Sequence, residues 1–164
     1  MYTGLRIGEI CALKWENFDF DNKCIKITHT LQRVYEDKKN TRVIIDNPKT
    51  KKSYRSIPIA KVLYEKLKPL SKQFTKDSFI LTGEEERYVE PLGYRYTYKK
   101  ILKDCKVAYK KYHILRHTFA TRCIGVGMDV KSLSEILGHA SVSVTLNIYV
   151  HSSFETKNKY INRL

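Results

Sequence analysis

YHILRHTFATRCIGVGMDVKSLSEILGHASVSVTLNIYVH, Tyr112–His151, brings His113, Arg116, His117, His139, Tyr149 and His151 into one short stretch. His113 and Arg116 are three residues apart, and His117 is four beyond His113. On a helix all three project from one side. Leu115, Phe119, Cys123 and Val126 follow a separate 3,4-type spacing that predicts a face toward the core. A helix that separates His-Arg-His from an apolar stripe is suited to an anion. Asp129 has the chemistry of an N-cap for a helix over Val130–Leu137. Gly138 is a stop signal, because glycine readily takes the left-handed cap conformation. His139 follows that stop directly. Ser141 or Ser143 then caps a short helix that carries Tyr149.

Working outward, Phe154–Leu164 reads as a last, weakly amphipathic helix, with Phe154, Ile161 and Leu164 on one face. Upstream, Leu92–Val107 is helical and interleaves Tyr94, Tyr96 and Tyr98 with Arg95, Lys99, Lys100 and Lys103. That interleaving suits nucleic-acid contact and equally suits a tyrosine-lined core. Gly83–Glu90 is a charged loop, Phe79–Leu81 a short buried segment, and Ala60–Ser71 a helix with Pro69 tolerated near its end. Three strand candidates precede it, Cys24–Thr30, Thr41–Asp46 and Tyr54–Ile59, and read as one three-stranded antiparallel sheet with Pro58 at an edge or strand end. Glu36–Asn40 is a charged hairpin connection, and Asn47–Ser53 a basic turn containing Lys49, Lys51 and Lys52. Composition alone makes that turn a solvated loop. At the start, Met1–Trp15 reads as a helix in which Arg6 and Glu9 are one turn apart, a spacing that usually marks a surface ion pair.

The chain of 164 residues is long enough for one domain with a substantial core, and it carries 31 Lys and Arg against 17 Asp and Glu, a net charge of +14. That excess calls for a polyanionic partner. No apolar run approaches a membrane span, so a membrane role has little support. Cys11, Cys24, Cys105 and Cys123 form no C-x-x-C pair and read as reduced thiols of a cytoplasmic protein. His113 and His117 are spaced like zinc ligands. The metalloprotease motif, however, requires Glu after the first histidine, and here Ile114 follows it, with Arg116 beside the would-be cation.

Four pieces of this chain, in order, resemble the tyrosine recombinase (phage integrase) family. TGLRIGEI at Thr3–Ile10 resembles its first, single-arginine motif. PKTKKSYRSIPI at Pro48–Ile59 resembles its lysine-bearing β-turn. HILRHTFAT and LGHASVSVTLNIYVH resemble its H-x-x-R, L-G-H and tyrosine motifs. The resemblance covers nearly the whole chain. It implies an α+β, mostly helical catalytic domain with a small three-stranded antiparallel sheet, the DNA breaking-rejoining fold. It also implies that a chain meeting its first functional arginine so near residue 1 is part of a longer protein, with a DNA-clamping domain and further catalytic-domain helices ahead of it.

The same resemblance implies the chemistry. A phosphodiester repels nucleophiles, and without metal its charge must be met by fixed cations; arginine forks bind phosphate oxygens in pairs. Arg6 and Arg116 are then the phosphate clamp, Tyr149 the nucleophile, His113 the acid/base, His139 a donor to the phosphate, and Lys49 the proton source for the leaving oxygen. Glu9, His117 and His151 are supporting residues, and Lys51, Lys52, Arg95 and Lys99 contact the DNA backbone. No cofactor or metal is implied. The implied partners are double-stranded DNA and other protomers, in a tetramer on paired sites. A non-catalytic DNA-binding module of the same fold would explain the charge equally well. Type IB topoisomerases share the chemistry, but the compact spacing and the LGH motif fit the recombinases better.

Overall fold

Ile25 and Ile27 alternate with Cys24 and Lys26, a period-two pattern that buries one face of a strand. In the computed structural model, which describes residues 2–37, 40–46, 54–149 and 161–162 (backbone alone for Ile148 and Tyr149), those two isoleucines are 1% exposed. They lie on β2 (Cys24–Ile27), the middle strand of a three-stranded antiparallel sheet. β1 (Phe18–Asp19) pairs on one side with Phe18 opposite Ile25, and β5 (Arg55–Pro58) on the other with Ile57 opposite Ile25. Leu5, Leu13, Trp15, Ile59 and, from α2 (Lys61–Ser71), Leu63 and Leu67 close over this face. Each fully buried isoleucine contributes about 1.5–3 kcal/mol.

The expected three-stranded sheet is present, but its membership differs from the sequence reading. Thr41–Asp46 is a strand, β4, yet it pairs with β3 (Thr30–Tyr35) in a separate two-stranded sheet, with Thr30 opposite Asp46 and Tyr35 opposite Thr41. Alternation shows which residues share a face but not which strand lies alongside, so it neither marks β3 nor places β4 beside it. β3 buries Leu31 against Cys11 and Ala12 of α1 (Ile7–Ala12).

The helix expected over Met1–Trp15 contracts to those six residues. Gly4 has φ +62°, where a Cβ would lie 2.5 Å from the Phe119 ring, and Arg6 is extended at the helix N-cap. Trp15–Asn17 is a short 3₁₀ turn. The remaining helices are α3 (Pro91–Asp104), α4 (His113–Gly125), α5 (Val130–Leu137) and α6 (Val142–Tyr149). Asp129 Oδ1 accepts from Ser132 N (2.9 Å), and Gly138 is left-handed (φ 63°, ψ 48°), so both α5 signals are as expected. Ser141 Oγ accepts from Ser143 N (3.2 Å), which makes Ser141 the residue that caps α6.

α4 is rotated relative to the expectation. Its buried residues are Arg116, Ala120 and Cys123, with Phe119 and Ile124 packed around them and Leu133 and Leu137 of α5 opposite. Val126 ends the helix and is 83% exposed, so it is no part of the core stripe. Tyr94 and Tyr98 of α3 meet the Tyr112 ring edge-on at 5.5 and 5.4 Å, whereas Tyr96 is exposed; two of the three α3 tyrosines therefore serve packing. All four cysteines are free thiols, and burial pushes Cys11 up to about 12. Among the described residues no helix is long and apolar enough to cross a membrane. Of Phe154–Leu164 only Ile161 and Asn162 are described, so the expected last helix lies largely outside the described residues.

Candidate active site

The last carbonyls of a helix have no partner within it and carry the negative end of its dipole. At the C-terminus of α5 three guanidiniums from three different elements take up that role. Arg55 of β5 donates through Nε to Ile136 O (2.7 Å), Arg116 of α4 through Nη2 to Leu137 O (2.7 Å), and Arg6, ahead of α1, through Nη2 to Gly138 O (2.9 Å). Arg116 also donates to Gly4 O (2.8 Å). The LGH turn is therefore the point at which the two halves of the chain are joined. Gly138 is required there twice: by its positive φ, and because a Cβ would stand 2.8 Å from Arg55 Nη1.

Glu9 holds this arrangement from below. Its carboxylate, 5% exposed, accepts from Arg6 N (2.7 Å), Arg6 Nη1 (2.9 Å), Arg55 Nη1 (3.0 Å) and Arg55 Nη2 (2.9 Å). Burial alone would raise the Glu9 pKa, but the bonds and charge of Arg55, then of Arg6, outweigh it and hold the carboxyl below its ordinary value. Arg55 was not singled out in the sequence. It is the arginine of YRSIPI, and only its burial (side chain 6% exposed) marks it as the counterpart of Glu9. Removing one member of a buried pair leaves the other charge uncompensated, so Glu9→Ala should lower stability by about 3–5 kcal/mol. Urea unfolding of the variant beside the wild type measures this directly.

Arg6, Arg116 and His113 line one cavity of about 510 Å³, together with Leu5, Ile7, Arg95, Tyr109, Lys111 and Tyr112. Arg6 keeps 42% of its side chain exposed, while Arg116 is 2% exposed. His113 is the first residue of α4, so the positive end of that helix opens beside the cavity. The His113 and His117 rings meet edge to face, 4.6 Å between centroids. Of the expected DNA contacts, Arg95 lines the cavity, and Lys99 lies on the outer surface of α3 with its Nζ 5.9 Å from the Tyr109 ring centroid. Lys111 and Tyr109 were not foreseen; they sit in the linker before α4, where no periodicity marks a role. Lys49, Lys51, Lys52, His151 and the Tyr149 side chain lie outside the described residues; Tyr149 itself is the final residue of α6.

His113 lines the cavity and His139 stands at the LGH turn, apart from the lining residues; both are held below the ordinary histidine range. Burial, then His117, Arg116 and Arg6, pull His113 below its ordinary 6.5. Burial, then Arg116, Arg6, Arg55 and His113, pull His139 down to about 4. Both are neutral at pH 7. An unfolded His139 takes up its proton near 6.5, while the folded one resists until about 4. The unfolded state therefore binds more protons across that window, and stability falls as pH drops from 6.5 toward 4. Urea midpoints measured from pH 7 to 4.5 should decline, and His139→Gln should flatten the decline.

A sequence profile of the phage integrase family matches residues 1–156. The chain belongs to the phage integrase family. It is 34% identical over 180 residues to a XerC-like tyrosine recombinase of Caldanaerobacter subterraneus subsp. tengcongensis, covering 99% of this chain and 46% of that protein. It is 32% identical over 186 residues to the transposase from transposon Tn916 of Enterococcus faecalis, covering 99% of this chain and 43% of that protein. The chain thus spans about half the length of the curated relatives it matches. Among solved structures, the Tn1549 transposon integrase in complex with circular intermediate DNA superposes with TM-score 0.77 at 30% identity, over 98% of this chain and 56% of that one. XerA recombinase, at 24% identity and TM-score 0.67, shares the fold. The expected fold class, an integrase-like α+β domain, is the observed one.

Proposed function

We propose that this integrase-family chain is the catalytic part of a site-specific DNA recombinase that cuts and rejoins DNA through a covalent 3′-phosphotyrosine. The observation that supports this reading is the convergence of Arg6 and Arg116, far apart in the chain, on one cavity with His113 at its wall. Arg6 and Arg116 bind the non-bridging oxygens and stabilise the charge that builds in the pentavalent transition state. Tyr149 Oη attacks phosphorus and gives its proton to His113, whose lowered pKa leaves it neutral and able to accept. The bond from phosphorus to the 5′-oxygen breaks, and Lys49 supplies the proton to that oxygen. His139, also neutral, donates a hydrogen bond to the phosphate. The phosphotyrosine retains the bond energy, so an incoming 5′-hydroxyl reverses the step without ATP.

Arg95, Lys99, Lys51 and Lys52 contact flanking phosphates. The net charge of +14 makes DNA affinity steeply salt-dependent. Partner protomers on paired DNA sites complete the reading, with the segment after Tyr149 as the contact between them.

The test is covalent trapping on a nicked duplex, from which the short fragment bearing the freed 5′-hydroxyl diffuses away. The clamp consists of arginines, so a band of protein joined to DNA should appear on a denaturing gel with EDTA present. Loss of that band in EDTA and its return with magnesium would overturn the mechanism; retained DNA binding with no covalent band under any condition would favour the non-catalytic module. Cleavage should be flat at neutral pH and fall as pH drops below 6.5 through the lowered pKa of His113.

A further inference from the structure

Thr145 is 0% exposed, on α6, one turn before Tyr149. A buried hydroxyl has a proton that must find an acceptor, and leaving it unmet costs about 1–3 kcal/mol. Among the described residues its hydrogen-bond partner is Nδ1 of His139, 2.8 Å away. We infer that Thr145 is a positioning residue: its hydroxyl donates to Nδ1 of His139 and so holds the ring in the tautomer that carries its proton on Nε2. Were the bond reversed, with Nδ1 donating, the threonine proton would be buried without an acceptor, and Nε2 would be left as a bare lone pair. A neutral imidazole has one donor and one acceptor, so fixing one nitrogen fixes the other.

The groups around the ring keep it neutral. Burial, then Arg116 of α4, Arg6 of the segment before α1, Arg55 of β5 and His113 of α4, hold its pKa down at about 4. A neutral ring can donate to a phosphate only through the nitrogen that carries its single proton, and with Nδ1 held by Thr145 that nitrogen is Nε2. Thr145 supplies that condition, and it does so from the helix that ends at Tyr149. The ring is therefore set for donation only while that helix is seated. The inference rests on the reading of His139 as a phosphate donor.

The experiment combines two-bond proton–nitrogen correlation spectra of ¹⁵N-histidine protein with cleavage assays on the nicked duplex, for wild type, Thr145→Ser and Thr145→Val. Wild type and Thr145→Ser should show His139 as the Nε2–H tautomer and cleave alike. Thr145→Val, of the same shape without the hydroxyl, should show Nδ1–H signal and cleave roughly 10-fold more slowly, the worth of one net hydrogen bond, with DNA affinity unchanged. A wild-type His139 protonated at Nδ1, or a Thr145→Val protein with unaltered tautomer and cleavage, would overturn the inference. If Thr145→Val does not fold, the wild-type spectrum still decides. Absence of any covalent complex in the wild type would count against the recombinase reading, whereas the tautomer measured in the same sample decides the role of Thr145.

Discussion

Tyr149→Phe should bind duplex DNA as the wild type does and yield no covalent complex, a loss of at least about 10⁴-fold in cleavage, because the oxygen proposed as nucleophile is removed. Only a hydroxyl is deleted, so the helix Val142–Tyr149 keeps its aromatic terminus. The chain contains 12 tyrosines, and the described ones near the cavity set the control. Tyr112 lines it, but burial, with Tyr94 and Cys11 close by, raises its pKa and makes it a poor nucleophile. Tyr109 lines it too and is 54% exposed, so it is the competing candidate. Tyr109→Phe should retain the covalent band that Tyr149→Phe loses. DNA still joined to the Tyr149→Phe protein on a denaturing gel would assign the chemistry to another tyrosine.

The two arginines proposed as the phosphate clamp should fail in different ways. Arg6→Ala removes a side chain that is 42% exposed and bonded to Glu9 and Gly138 O. Cleavage should fall about 10³-fold through lost phosphate stabilisation, with a smaller drop in the unfolding midpoint than for Arg116→Ala, because Arg55 still pairs with Glu9. Arg116→Ala removes a guanidinium that joins Gly4 O to Leu137 O in the interior. Each carbonyl left unmet costs about 1–3 kcal/mol, so this variant should lose stability and cleavage together. Circular dichroism melts and gel cleavage on the same preparations separate the two outcomes. An Arg116→Ala protein as stable as Arg6→Ala would mean that the carbonyl bonds of Arg116 are incidental to the fold.

These two arginines also show how far reading residues in sequence extends. Both were found as members of motifs, and both line the cavity. The sequence treated Arg116 as a neighbour of His113 and His117 on a polar face. In the fold it is among the most buried residues of α4, because the α5 terminus offers carbonyls that reward its burial. Helical spacing counts residues around an axis; it cannot see a hydrogen-bond acceptor supplied by another helix.

What the sequence determined by itself was local chemistry. Asp129 and Gly138 mark the two ends of α5 because a capping carboxylate and a left-handed glycine act on their own few residues. Pro69 near the end of α2, the basic excess and the order of the four motifs are legible for the same reason. Tertiary structure alone decided which strands pair, since β2 finds β5 across some thirty residues while β3 and β4 pair with each other. It alone revealed Arg55, whose partners are Glu9 and Ile136 O, and Thr145, whose partner is His139. Pairing of strands, burial of a charge and orientation of a ring each depend on groups distant in the chain, and nothing within one helical turn or one strand encodes them.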